Sequence, residues 1–122
     1  MTITGIQHVS FIVASVEQSL AFYRDLLGLQ QDPSRPDLGY PGAWLTVGDQ
    51  QIHLLELENP DPVVNRPWHV GQDRHVALMI SGLAELRARL EEAEIIYTSS
   101  RSGRQAIFCR DPDGNGLEFI QA

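Results

Sequence analysis

The sequence predicts an α+β fold of two tandem βαβββ modules, forming a curved sheet around one shared, cup-shaped site. Three observations carry this. His8-Val9-Ser10-Phe11-Ile12-Val13 is repeated as His75-Val76-Ala77-Leu78-Met79-Ile80, from position 8 to position 75, an offset of 67. Each copy is apolar or alternating over the length of a strand and runs directly into a segment of helical periodicity. Each helical segment is followed by three short strand-like stretches separated by turn signals.

In the first helix Val16, Leu20, Tyr23 and Leu27 recur at helical spacing, Ser15 and Gln18 form a capping-box pattern, and Gly28 supplies the stop. In the second, Leu83, Leu86, Leu90 and Ala93 make the stripe. Both stripes are single-faced, so each helix is expected to cover one face of a sheet and leave the other free. The following strands are expected at 29–32, 43–47 and 51–57, then at 95–99, 105–110 and 117–120. Gly48-Asp49 closes one hairpin and Asp111-Pro112-Asp113-Gly114-Asn115-Gly116 another. The modules are therefore placed at 1–58 and 74–122, with a Pro-rich linker at 59–73 and a second Pro- and Gly-rich loop at 33–42 that could hang over the site.

A chain of 122 residues has room for one domain with a real core, so a duplication inside it must share that core. The formal charge of −7, with nine Lys and Arg that form no basic run, argues against nucleic acid and acidic membranes as partners. No apolar run is long enough to span a membrane, and no cationic stretch precedes the first apolar segment, so a cytoplasmic location is expected. The single cysteine, Cys109, rules out an internal disulfide and is expected to be buried and inert.

Strand alternation puts His8 with Ser10 and Ile12 on the face away from the first helix, and His75 with Ala77 and Met79 on the face away from the second. On the last strand Glu118 is opposed in facing to Leu117 and Phe119, so it also belongs to the free face. Glu118 follows His75 by 43 residues; in the first module His53 follows His8 by 45 and Glu56 by 48. His53 and Glu56 have opposite strand parity. Pointing His53 into the site lets Ile52 and Leu54 pack toward the helix, whereas pointing Glu56 inward buries a histidine in the apolar layer. His53 is the preferred reading and Glu56 the alternative.

Three imidazoles and a carboxylate suit a divalent transition metal and leave octahedral positions for two adjacent substrate oxygens. His8, His53, His75 and Glu118 are thus the candidate ligands, and Glu118 also the candidate catalytic acid–base. His69, in the linker and without a repeat partner, reads as a surface residue. Arg35, Arg66, Arg74, Arg101 and Arg104 are loop cations that could receive an anionic substrate, with a solvated role the ordinary one for each, and Trp44 and Trp68 could line a pocket, with burial in the core or an interface the ordinary role of each.

Along nearly its whole length, through IQHVSFIVASVEQSLAFYRDLLGL, QIHLLELENP, DRHVAL and FCRDPDGNGLEFIQ, the sequence resembles the vicinal-oxygen-chelate superfamily of glyoxalases, bleomycin-resistance proteins and dioxygenases. The resemblance implies paired modules, a divalent metal (zinc, nickel, manganese, cobalt or iron(II)), a small-molecule substrate and a homodimer. His8, His75 and Glu118 match ligand positions of that family; at the remaining position glyoxalase I-like members carry Glu and epimerase-like members Gln, where this chain offers His53 or, failing that, Glu56. What it implies about activity is a glyoxalase-like lyase or isomerase, with an extradiol-type dioxygenase or a non-catalytic drug-binding protein as alternatives.

Overall fold

The computed structural model describes all residues, 1–122, as two compact units, 1–60 and 61–122. Each is built as one βαβββ module. In the first, strand β1 (His8–Val13) leads into helix α1 (Val16–Leu20), which continues as a π-helical segment over Ala21–Leu26, and then come β2 (Gln30–Asp32), β3 (Gly42–Val47) and β4 (Gln50–Glu56). In the second, a short 3-10 turn at Val70–Gln72 precedes β5 (His75–Ile80), α2 (Leu83–Glu92), β6 (Tyr97–Ser99), β7 (Ala106–Arg110) and β8 (Gly116–Gln121).

The two sheets have the same topology, β1-β4-β3-β2 and β5-β8-β7-β6, with the first pair parallel and the rest antiparallel. The crossover explains the parallel pair, because the chain leaves β1 or β5 through a helix and two hairpin strands before returning beside it. Their registers also agree. Ser10, two residues after His8, pairs with His53, and Ala77, two residues after His75, pairs with Glu118. His53 and Glu118 therefore hold equivalent places on β4 and β8, although their sequence offsets from the first histidine differ. On the next strand over, Trp44 pairs with His53 and Phe108 with Glu118.

Within each unit the helix covers one face. Val13, Phe22, Tyr23, Leu45, Ile52 and Leu54 are buried in the first; Leu83, Leu86, Leu90, Ile107, Leu117 and Phe119 in the second. Along β5 the alternation is clean, with His75, Ala77 and Met79 exposed and Val76, Leu78 and Ile80 covered; along β1 His8 and Ser10 are exposed and Val9, Phe11 and Val13 covered, but Ile12, read as on the free face, is also partly covered.

Three local features differ from the sequence reading. The first helix is α-helical for only five residues before it widens, with Leu27 N–H bonding to the Phe22 carbonyl five residues back. The widening rotates the stripe, so the buried positions are Ser19, Phe22 and Tyr23, and Val16, Leu20 and Leu27 are only partly covered. The end of the second stripe, Ala93, is exposed as the C-cap of α2. The stretch read as a linker folds with the second unit from Asp61 onward: Arg66 and Arg110 pin Asp73, and Val70 is buried.

The turns follow their chemistry. Ser15 accepts the Gln18 N–H at 3.2 Å as the α1 N-cap. Gly48 opens the β3–β4 turn at φ 56, the positive value a two-residue hairpin needs at its first central position. In the β7–β8 turn Asp111 accepts the backbone N–H groups of Asp113 and Asn115, both at 2.9 Å. Gly116 starts β8 where a Cβ would meet the Arg74 carbonyl at 2.7 Å and Val70 Cγ1 at 2.8 Å, so only glycine fits.

Candidate functional site

In the second unit His75 and Glu118 meet on the face away from α2. His75 Nε2 lies 3.3 Å from Glu118 Oε2. His75 Nδ1 lies 2.8 Å from the Asp73 carbonyl oxygen, which can only accept, so Nδ1 carries the proton. In the neutral ring Nε2 is then bare, and two lone-pair atoms face each other. Such a pair is favourable only with a positive charge between them, a proton or a cation. A histidine that gives its second N–H to a backbone carbonyl is the usual posture of a metal-binding imidazole.

Glu118 has 4% of its side-chain surface exposed, and Arg104 Nη2 stands 3.5 Å from its other oxygen while 58% of the Arg104 side chain remains open. Phe108, its cross-strand neighbour, packs edge-on against His75 with ring centroids 5.4 Å apart. An apolar wall therefore flanks the pair on one side and a cation on the other.

In the first unit the rings of His8, His53 and Trp44 form a stack, with centroids 3.9 Å apart for His8 and His53 and 4.6 Å for Trp44 and His53. The proton on His53 can be placed. Gln51 Nε2 donates to Asp32 Oδ2 at 2.8 Å, which leaves Gln51 Oε1 to accept from His53 Nε2 at 2.8 Å. His53 thus carries its proton on Nε2 and keeps Nδ1 bare. Burial first, and then the neighbouring His8 and Arg35, lower its pKa below the ordinary imidazole value, which favours the neutral ring that a ligand needs. His8 Nδ1 contacts Gln7 Oε1.

Both pairs have the chemistry of a divalent-metal donor set. Neither unit alone gathers three His, Cys, Asp or Glu side chains into one cluster. Glu56, the alternative to His53, is turned to the helix side, where Oε1 accepts the Val16 N–H at 3.0 Å at the start of α1.

Several other residues sit differently from the sequence reading. His69 is not a surface residue: it is 8% exposed, hydrogen-bonded through Nδ1 to Thr98 Oγ1 at 3.0 Å, and stacked edge-on against Phe108. Sequence reasoning missed it because a histidine between Trp68 and Val70 in an aperiodic stretch gives no facing signal. Arg66 is also committed internally, with Nε and Nη2 on the two oxygens of Asp73 at 2.7 and 2.6 Å. Arg35 donates to the Tyr40 carbonyl and Arg74 to Asp61. Of these cations, Arg104 reaches the Glu118 carboxylate directly, while Arg35 acts on His53 through its charge.

A cleft of about 360 Å³ opens within the second unit between the 66–70 segment and β6–β7, lined by Trp68, Ile96, Tyr97 and Phe108 among others. Trp68 is 73% exposed, and Trp44 lies in the ring stack of the first unit.

The comparisons agree with the fold. The model of the Glyoxalase/Bleomycin resistance protein/Dioxygenase superfamily matches residues 5–119. The chain belongs to that superfamily. It is 30% identical to the Glyoxylase I 4 of Arabidopsis thaliana, over 96% of this chain and 70% of that one. It is 32% identical to the catechol-2,3-dioxygenase of Bacillus subtilis, over 95% of this chain but only 41% of that enzyme. Among solved structures, a glyoxalase family protein from Bacillus anthracis superposes with a TM-score of 0.81 at 25% identity, over 99% of this chain and 97% of that one. Relatives are mostly enzymes, metal-dependent ones among them.

Proposed function

We propose that this chain is a metal-dependent enzyme of glyoxalase type, a lyase or isomerase acting on a small substrate through two adjacent oxygens, with His8, His53, His75 and Glu118 as the metal ligands. The observation that carries the reading is the bare Nε2 of His75 facing the buried Glu118 carboxylate at 3.3 Å. The equal strand register of His53 and Glu118 supports extending the donor set to the first unit.

A divalent ion held by these residues would supply positive charge that polarises the two oxygens and acidifies the C–H on the oxygen-bearing carbon beside the carbonyl. Glu118 is the base for that proton and returns it to the neighbouring carbon, which is general acid–base catalysis by one carboxylate. Arg104, open to solvent and 3.5 Å from Glu118, offers charge to an anionic part of the substrate.

The test is exchange with solvent deuterium. The chain reconstituted with zinc, nickel or manganese is incubated in heavy water with α-hydroxycarbonyl compounds and hemithioacetals of 2-oxoaldehydes. Exchange or isomerisation at the carbon beside the carbonyl, lost in Glu118→Gln, is the expected result. Oxygen uptake with iron(II) and a catechol, without such exchange, would instead favour the dioxygenase reading that His8, His75 and Glu118 also suit as two histidines and a carboxylate. Tight binding with neither reaction would favour sequestration.

A further inference from the structure

The second unit holds a buried carboxylate that no step above uses. Asp73 lies two residues before His75, with 8% of its side chain exposed. Its Oδ1 accepts from Arg66 Nη2 at 2.6 Å and from the Arg74 N–H at 2.8 Å. Its Oδ2 accepts from Arg66 Nε at 2.7 Å and from Arg110 Nη1 at 2.9 Å. The same Arg110 donates to the Gly114 carbonyl in the β7–β8 turn at 2.8 Å and to the Pro67 carbonyl at 2.6 Å. Arg66 also donates to the Pro62 carbonyl at 3.1 Å. The Asp73 N–H is held as well, by the Val70 carbonyl at 2.9 Å.

Every polar group of Asp73 is thus fixed except its carbonyl oxygen, and that oxygen takes the proton of His75 Nδ1 at 2.8 Å. The clasp joins the segment leading into β5, which carries His75, to the turn leading into β8, which carries Glu118. Two guanidiniums on one carboxylate exceed what a surface loop needs, and fork-like arginine contacts lock orientation as well as distance.

We propose that Asp73 is a positioning residue for His75: clamped between Arg66 and Arg110, it fixes the backbone carbonyl that holds the imidazole in the Nδ1–H form and aims Nε2 at Glu118. The role deepens the metal reading and rests on it for its consequence, but the control of the imidazole tautomer stands by itself. A loosened Asp73 lets His75 rotate or exchange tautomers, and the Nε2 lone pair is then presented for only part of the time.

The test compares the full-length wild type with Asp73→Ala and with Arg110→Gln, which removes one clamping charge and leaves Arg66 in place. Long-range proton–nitrogen spectra of the metal-free protein, at a pH where imidazole is neutral, report the His75 tautomer directly. Wild type should show one Nδ1–H form, and both variants a mixture. Zinc affinity, measured against a competing chelator, should fall by about tenfold or more in Asp73→Ala, the range for losing an outer partner of a liganding histidine, and by less in Arg110→Gln. Circular dichroism checks that each variant is folded, and Arg110→Gln carries the test if Asp73→Ala does not fold. A lowered melting temperature with the wild-type tautomer and zinc affinity retained would overturn the proposal and leave Asp73 purely structural. His75→Ala and Glu118→Ala separate the two readings: if they bind zinc as wild type does, the metal reading fails, while the tautomer spectra still decide the positioning role.

Discussion

Cys109 pairs with Leu117 across β7 and β8 and is 1% exposed. Burial first, and the negative charge of Asp111 second, pushes its thiol up to about 12. The thiolate is the reactive form, so this cysteine should not be modified by iodoacetamide in the folded chain at mildly alkaline pH, and should be once urea unfolds it. Mass spectrometry showing alkylation of the native protein at the rate of a free thiol would contradict that. The burial of Cys109 was legible from its place in a strand-like segment, and the facing of Glu118 from Leu117 and Phe119 beside it, although β7 and β8 are covered on both faces rather than alternating. His69 and Asp73 were not, because their burial comes from contacts with Thr98, Phe108, Arg66 and Arg110 that are distant in the chain or lie in aperiodic segments. Nor does a sequence carry tautomers, so the opposite protonation of His53 and His75 emerges only from Gln51, Asp32 and the Asp73 carbonyl.

Among the elements, α1 is capped from both sides of the chain, by Ser15 locally and by Glu56 from the end of β4. A carboxylate on the first N–H groups of a helix both satisfies a donor and complements the helix dipole. Glu56→Ala should therefore cost about 1 kcal/mol in urea unfolding, in the range for losing a cap, while metal binding stays as in wild type. Loss of metal without loss of stability would return Glu56 to the site and displace His53. Gly116→Ala should cost more, about 1–3 kcal/mol, because the added methyl must displace the Arg74 carbonyl and Val70. The segment before β5 carries an acid-sensitive contact. The Arg66 hydrogen bond first, then Arg110 and the Arg74 N–H, hold the Asp73 pKa well below its ordinary 3.8, against the opposing effect of burial. A carboxyl with a lowered folded pKa contributes stability that is present above its unfolded pKa and lost as pH falls below it. The wild-type chain should then lose stability more steeply than Asp73→Asn as pH drops below about 3.8. Parallel acid limbs in the two proteins would contradict the clamp. The succession of strands and the two helices were readable from periodicity, but the order of strands in each sheet and the π-helical widening of α1 were not, since Val16, Leu20, Tyr23 and Leu27 fit an ordinary helix equally well and only packing selects Ser19 and Phe22 as the buried positions.

At the scale of the whole molecule, the duplication is deeper than the sequence motif that reveals it. The matching HV runs locate β1 and β5, and the strand ladders then bring His53 and Glu118 to the same place in two sheets of one topology. No helix is long and apolar enough to cross a membrane. Exposed Trp68, Met79 and Ile96 leave apolar surface of the kind that pairing between copies covers, and a homodimer is the expected state. Light scattering at micromolar concentration should give twice the 13.6 kDa of the chain, and a lone species at that mass would refute it. The most direct test of the metal-centred reading is elemental analysis of the chain purified after growth in metal-supplemented medium, beside His8→Ala, His53→Ala, His75→Ala and Glu118→Ala, each checked for folding. About one divalent metal per chain in wild type, and its loss in all four variants, is the predicted result, as expected when removing one ligand breaks a chelate of few donors. Full metal occupancy in folded His75→Ala or Glu118→Ala would contradict it.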